Sequence, residues 1–227
     1  MGTLVILGAA VVVFVVIVPI VGSRWERRQA RRVPLKRAIA ARETTAIAAL
    51  RAGEVAKIRG VVAAREPLLT SPSSGRACIG YRIVIDDTSH DPSFVWIPLV
   101  TREAWSSFLV KDETGSVIVD GPLDVALDPS EFASHKNVPP TVYALLKEDD
   151  VRMWDLWGPR TFWYRETLLK VGDRVSVVGR PSLEIDPAGR ASFRDPPRLH
   201  VMRGSLDEPI PVIDDDESPA DVPPRLT

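Results

Sequence analysis

The chain has 227 residues, with 29 Lys or Arg, 30 Asp or Glu, 3 His and 1 Cys. One cysteine excludes a disulfide within the chain and a zinc site built from several thiolates. A net charge of −1 argues against a general nucleic-acid-binding protein. We therefore expect no cofactor, no metal site and no nucleic-acid partner.

The first element is an unbroken apolar run, Leu4–Val21, inside a stretch (residues 1–23) that has no ionisable side chain. As a helix this run would be roughly 27 Å long, close to the hydrocarbon thickness of a bilayer. A cleaved signal peptide would have basic residues before the run, and a myristoylation site would have Ser or Thr where Ile6 stands. The run therefore predicts a single transmembrane helix.

Basic residues follow the run at once: Arg24, Arg27, Arg28, Arg31, Arg32, Lys36 and Arg37. Such clusters stay on the cytoplasmic side of a membrane. We therefore expect a single-pass membrane protein with its N-terminus outside and the rest of the chain cytoplasmic, at the inner membrane if the source is bacterial. Residues 24–53 read as a basic juxtamembrane linker that is helical from Leu35 to Arg51.

Residues 54–204 predict one mainly β domain. Strand-like segments alternate with turn residues about every ten positions, and one helix is expected to start near Pro140. This pattern is typical of a small, mainly antiparallel barrel or sandwich with one or two helices. Residues 205–227 are rich in proline and acidic residues, a composition that predicts a disordered tail.

Three motif blocks resemble the GIDE domain, which occurs in membrane-anchored ubiquitin ligases of the mitochondrial outer membrane and in bacterial proteins. The first block is a G-V strand, an E-P-L-x-S-P loop and an S-G-x-x-C-x-x-Y-R strand; it contains Gly60, Pro67, Leu68, Ser71, Gly75, Cys78, Tyr81 and Arg82. The second is a hairpin with Phe108, Asp112, Gly115 and Val119. The third contains Arg165, Glu166, Gly172, Asp173 and Gly179.

The resemblance implies a membrane-anchored module of the ligase family, but its ligase activity is not expected here. The RING of those ligases holds two zinc ions with a set of Cys and His, and one Cys cannot supply it. No second apolar run follows the domain either. The resemblance therefore favours a bacterial-type member without the RING. A ubiquitin-ligase-like role, either direct or limited to recognition of a target, is the alternative.

Two groups could suggest catalysis. Cys78 lies in a predicted strand, which favours a buried small side chain over a reactive thiol. His90 and Asp91 are adjacent in a polar loop, and adjacent residues do not orient one another as a catalytic pair does. A hydrolase that uses loop Ser and His residues is a second alternative, and we assign no catalytic residue.

Other motif residues have structural readings. Asp112, Gly115, Gly172 and Asp173 read as turn residues. Arg82 and Glu166 lie in two strands and either form an ion pair or are solvated separately; the sequence leaves this open.

The segment with Trp154 and Trp157 has no strand period, so these side chains are either core or an exposed surface for a partner or the bilayer. The function expected from all of this is non-enzymatic. The chain would be a membrane-tethered module that binds a protein or another ligand of unknown identity.

Overall fold

A computed structural model describes residues 35–87, 97–133, 138–155, 158–185 and 198–215 of the chain. The predicted span, Leu4–Val21, lies outside these residues. None of the helices in the described segments is long and apolar enough to cross a membrane. Trp157, the His90 loop and residues 216–227 also lie outside the described part of the chain.

The chain is mainly β, as predicted. The first eight strands are β1 Ala56–Ala64, β2 Leu69–Thr70, β3 Ala77–Cys78, β4 Gly80–Asp87, β5 Ile97–Trp105, β6 Phe108–Lys111, β7 Ser116–Asp120 and β8 Leu123–Ala126. The other eight are β9 Glu131–Ala133, β10 Trp154–Asp155, β11 Gly158–Pro159, β12 Phe162–Leu169, β13 Arg174–Gly179, β14 Pro181–Ile185, β15 Arg198–Arg203 and β16 Ile210–Asp214. A 3-10 helix spans Ile47–Ala49, and an α-helix, α1, spans Pro140–Glu148.

Two open sheets hold most of these strands. The larger has the order β14-β15-β7-β6-β1-β13-β16-β8, and the smaller has the order β5-β4-β12-β9. Most pairs are antiparallel, as expected, but β15 pairs with β7 and β16 pairs with β8 in parallel. These parallel pairs join strands far apart in sequence, which no short-range turn signal could predict.

Gly60 marks a close approach within the larger sheet. A Cβ atom at this position would lie 2.4 Å from the carbonyl oxygen of Lys111, on the neighbouring strand β6. Only glycine fits so close to a neighbouring backbone. Gly60 therefore lets the backbones of β1 and β6 approach closely.

Two cores support the sheets. One lies along the larger sheet and contains Ile58, Phe108, Val110, Val177 and Val212, all 0% exposed. The other joins the smaller sheet to α1, whose apolar residues at helical spacing are Val142, Leu145 and Leu146. Pro140 occupies the first turn of α1, as predicted, because a helix start needs no N–H there.

The predicted linker helix is wrong in its extent. Residues 35–40 are helical, but the chain then turns, and Thr44 forms a bridge with Lys57. Ile39 and Ile47 are buried in the domain, and the Lys57 ammonium donates to the carbonyl oxygen of Arg42 at 3.2 Å. Burial of these apolar side chains outweighs the helix propensity of the alanines between them. Residues 35–53 are therefore part of the domain.

The predicted disorder of residues 205–227 is wrong for its first part. Strand β16 lies in this segment, between β13 and β8, and its side chains Val212 and Ile213 are 0% and 6% exposed. The alternation of apolar residues around Pro211 fits a strand. The acidic residues that follow it gave residues 205–227 as a whole the composition of a disordered tail. The domain therefore extends to at least residue 215.

Candidate functional site

Glu166 is a carboxylate placed inside the protein by the period of its strand. Along β12 the residues Phe162, Tyr164, Glu166 and Leu168 share one face, because side chains alternate between the faces of a strand. All four are buried, and Glu166 is 0% exposed. A buried charge of this kind needs hydrogen bonds and a counter-charge to be tolerated.

Those partners come from the loop between β2 and β3. The hydroxyls of Ser71, Ser73 and Ser74 all donate to Oε1 of Glu166, with the Ser74 bond at 2.9 Å. Nη2 of Arg76 lies 3.4 Å from Oε2 of the same carboxylate. We call these five residues the Glu166 cluster.

The local sequence explains why the loop can reach the carboxylate. The short strands β2 and β3 pair Leu69 with Cys78 and Thr70 with Ala77. The N–H of Ser71 donates to the Arg76 carbonyl at 3.0 Å, and Gly75 has a φ of +69°, which favours glycine. The loop is thus a closed turn whose serines point inward.

Neighbouring elements add further contacts to the loop. The Tyr164 hydroxyl donates to Oγ of Ser73 at 2.8 Å, and Thr141, in the first turn of α1, donates its hydroxyl to the Ser73 carbonyl oxygen. Strand β12, the serine loop and the start of α1 are therefore joined through Ser73.

Cys78 lies beside the cluster and is 1% exposed. Burial raises the pKa of its thiol, and the nearby Glu166 carboxylate raises it further, against a smaller lowering by a backbone hydrogen bond from Ser71. The thiolate form that nucleophilic or redox chemistry requires is therefore disfavoured. The structure agrees with the interpretation of Cys78 as a buried small side chain.

The cluster attaches the loop to strand β12 through side-chain hydrogen bonds and an ion pair. Ser71 and Ser73 are 1% and 4% exposed, so their hydroxyls are turned away from solvent. Pro72, Gly75 and Arg76 on the outer side of the same loop are exposed, and Leu68, directly before β2, is 45% exposed. The arrangement is chemically suited to presenting a rigid loop at the surface.

Arg82 and Glu166 do not form the ion pair that the sequence left open. Arg82 lies opposite Thr167 in the β4–β12 register, one position away from Glu166. Its Nε donates to Glu103 at 2.8 Å and its Nη1 to the Val125 carbonyl at 3.0 Å. A shift of one residue along a strand puts the two side chains on opposite faces.

Arg165 forms a different buried pair. Its Nη2 donates to Oδ2 of Asp86 at 2.7 Å, and Asp86 is 0% exposed. The other carboxylate oxygen of Asp86 has no hydrogen-bond partner among the described residues. Burial raises the pKa of Asp86, and the charge and hydrogen bond of Arg165 oppose that rise.

Asp112, Gly115, Gly172 and Asp173 lie in turns, as the sequence predicts, and other motif residues lie in strands. Asp112 and Gly115 form the β6–β7 turn, where the Gly115 N–H donates to Oδ1 of Asp112 at 2.9 Å. Gly172 has a φ of +94°, and Asp173 accepts from the Lys170 N–H at 2.8 Å. Tyr81, Phe108, Val119 and Gly179 lie in strands β4, β6, β7 and β13.

The two tryptophans of the predicted partner surface have different outcomes. Trp154 is 67% exposed, so a core role for it is wrong. It begins the short β10–β11 ladder, in which it pairs with Pro159. Trp157 is not among the described residues.

Sequence reasoning missed the central role of Glu166 and the contributions of Ser73 and Thr141. The partners of Glu166 in the cluster precede it by 90 positions for Arg76 up to 95 for Ser71. The available signal was a glutamate in phase with apolar residues of a strand. Such a residue needs donors, and a loop with three serines could supply them.

The described residues contain no group of three or more His, Cys, Asp or Glu side chains that could hold a metal ion. Comparison of the chain with models of protein families, with curated proteins and with solved structures found no match.

Proposed function

We propose that this chain is a membrane-tethered, non-enzymatic binding module whose serine loop, residues 68–76, contacts a protein partner. The observation that carries the proposal is the Glu166 cluster. A loop fixed by three hydroxyls and an arginine loses little conformational entropy when it binds, and this improves affinity. Conversely, serines turned inward on a buried carboxylate are poorly placed to attack a substrate.

The tether in this proposal is the helix predicted for Leu4–Val21. The basic residues after it support a cytoplasmic position for the domain. The domain would then be held close to one membrane face, where its partner would be met at high local concentration.

We further propose that the module is a GIDE-like domain. Support comes from the way its motif blocks meet: the hydroxyl of Ser71, in the first block, donates to Glu166 of the third block, and Cys78 of the first block lies near the same carboxylate. Residues that belong to one motif set are expected to share a structural task. The first and third blocks then correspond to the serine loop and to strand β12, which binds that loop.

We also propose that the strands of the larger sheet form a small barrel. Arg180 alone separates β13 from β14, so the two can act as one bent strand. Pairings run from β1 through β6, β7 and β15 to β14, and β13 pairs back to β1. This cyclic path supports a barrel, although the hydrogen-bonded sheets themselves are open.

A recognition role in a ubiquitin-ligase-like system is the alternative function. It would use the same loop to bind a target and would leave the transfer chemistry to another protein. The hydrolase alternative would require Ser71 or Ser73 to leave Glu166 and reach solvent, and their burial makes this costly.

Cross-linking in native membranes followed by mass spectrometry tests the proposal. We expect a reproducible protein partner that is lost in a Leu68→Asp variant and kept in a Leu206→Asp control. Leu206 is 91% exposed and lies outside the serine loop. Circular dichroism checks that both variants fold. A partner retained by both variants, or no partner at all, would contradict the loop proposal, and extraction of the chain by carbonate would contradict the tether.

A further inference from the structure

A second exposed surface lies beside α1. Trp154 is 67%, Tyr143 38% and Met153 36% exposed, and we call these three residues the Trp154 patch. Tyr143 and Met153 line a groove of about 320 Å³ together with Lys147, Asp150, Val151 and Arg152, and Trp154 follows Met153 directly in the chain. Exposed apolar side chains that lie close together mark a contact surface more often than scattered single ones.

The patch is held by ordered backbone on both sides. Tyr143 lies on α1, whose buried residues fix the helix to the smaller sheet. The carbonyl of Met153 accepts from the Arg160 N–H at 2.9 Å, and Trp154 pairs with Pro159. A surface formed in advance pays little ordering entropy on contact.

The composition of the patch matches a bilayer interface. Trp and Tyr concentrate at the level of lipid headgroups, where the ring is apolar and the polar atom stays wet. Lys147 and Arg152 line the same groove as Tyr143, and basic residues are attracted to an anionic membrane surface. Asp150 is the acidic residue in the groove lining, so basic residues outnumber acidic ones there.

The size of the patch decides between a bilayer and a protein. A specific protein interface buries about 800 Å² on each partner, which three side chains do not supply. Contact with a bilayer needs far less when a tether already holds the domain there, because the tether supplies a high effective concentration.

The tether does not determine which side of the domain faces the membrane, so the chemistry of the surface does. Residues 22–34 connect the predicted span to the described domain and can reach about 45 Å at most. A domain of this length is on the order of 40 Å across. Any face could therefore turn to the membrane, and the most lipid-compatible face is selected.

We propose that the Trp154 patch rests on the membrane surface, with Trp154 and Tyr143 at headgroup level and Lys147 and Arg152 against anionic lipid. This inference rests on the membrane tether of the proposed function. It leaves the serine loop free to bind a partner. It would also give the domain a defined orientation on the membrane.

Spin labelling of the full chain in nanodiscs of phosphatidylcholine and phosphatidylglycerol tests this. The native Cys78 is buried, so the unsubstituted chain serves as the control for background labelling. A label is placed at Met153→Cys, with Leu206→Cys as the matched exposed control. Collision rates with oxygen, which enters bilayers, and with a water-soluble nickel complex are then measured.

At position 153 we expect a ratio of oxygen to nickel collisions severalfold higher than at position 206. Adding Trp154→Ala to Met153→Cys should bring the ratio toward the value at 206. Equal ratios at both positions, or protection of position 153 from both reagents as in a protein contact, would overturn the proposal. Failure of the chain to enter nanodiscs at all would instead contradict the tether.

Discussion

Oδ2 of Asp112 accepts a 2.9 Å hydrogen bond from the backbone N–H of Ile47, a residue 65 positions earlier in the chain. The hydroxyl of Thr114, in the same turn, accepts from the N–H of Ala48 at 3.0 Å. The β6–β7 turn therefore satisfies the free N–H groups of the 3-10 helix Ile47–Ala49. Through this turn the segment that leads from the predicted membrane span is bound to the domain.

Truncation tests where the domain begins. Removal of residues 1–22 should release a soluble, folded and monodisperse protein, because the apolar segment is lost while Ile39 and Ile47 keep their buried positions. Removal of residues 1–53 should instead expose the part of the core that Ile47 and Leu50 cover. Size-exclusion chromatography and circular dichroism distinguish the two forms. Aggregation of the shorter truncation would show that the domain needs the membrane.

Truncation at the other end tests strand β16. Removal of residues 205–227 should unfold the domain, since Ile210, Val212 and Ile213 are buried and each contributes about 1.5–3 kcal/mol. Their sum approaches the whole stability of a typical domain, about 5–15 kcal/mol. Removal of residues 216–227 is the matched control and should leave the melting temperature unchanged. A melting temperature that is equal in both truncations would contradict the placement of β16.

Substitution of Glu166 tests the cluster. In Glu166→Ala, three serine hydroxyls lose their acceptor and Arg76 loses its counter-charge, so the free energy of unfolding should fall by about 3–5 kcal/mol. Glu103→Ala removes the partly exposed partner of Arg82 and should cost no more than about 1 kcal/mol. Urea unfolding of the soluble form measures both. Equal losses would mean that the buried cluster has no special role.

Thiol chemistry tests the burial of Cys78. Its raised pKa and its burial predict slow reaction with a disulfide reagent in the folded protein and fast reaction after unfolding. A Leu206→Cys variant supplies a matched exposed thiol that should react at once with one equivalent. Rapid reaction of the unsubstituted folded chain would mean that the serine loop opens.

Two carboxylates should change stability with pH in opposite directions. The folded-state pKa of Asp86 is raised by burial, so its contribution is greatest below its unfolded pKa of about 3.9 and is lost as the pH rises through the folded value. The Asp86→Asn variant should therefore be least stable relative to the native chain at low pH. The difference in stability should shrink as the pH rises toward neutrality. The pair with Arg165 is already part of this balance, because its charge and hydrogen bond lower the pKa that burial raises.

Asp112 provides the opposite case. Partial burial opposes its ionisation, but hydrogen bonds from Ile47, Thr114 and Gly115 lower its pKa overall. Its stabilising contribution is therefore present above about pH 3.9 and is lost as the pH falls through the folded value. The cost of Asp112→Asn should shrink on acidification. Thermal unfolding of both variants between pH 3 and 7 checks the two signs together.

Strands bounded by strong turn residues could be predicted from the sequence with good accuracy. The sequence predicts strands over residues 162–169, 174–179 and 181–185, because glycines, prolines and charged residues separate apolar segments there. These ranges match β12, β13 and β14. The hairpin of β6 and β7 was predicted from its Asp-x-Thr-Gly turn in the same way. Turn residues act over a few positions, so they predict strand ends and hairpins but not the pairing of distant strands.

The parts that could not be predicted depend on distant residues. Strand β16 lies in an acidic segment and is specified by the space between β13 and β8, which composition does not reveal. The buried position of Glu166 could be suspected from its strand, but the identity of its donors could not. Arg82 pairs with Glu103 because it lies directly opposite Glu103 on β5, whereas on β12 it lies opposite Thr167, one residue away from Glu166. The sequence alone does not show this register.

The pairings of β1 have a consequence for how the protein is made. Residues 56–61 of this strand pair with β13, and the neighbour of β13 is β16, at residues 210–214. The ribosome must therefore synthesise most of the chain before the larger sheet can be completed, and pairing over such separations is slow. The apolar N-terminal segment emerges first. We therefore expect membrane insertion to precede folding, so that the domain acquires its structure already beside the lipid.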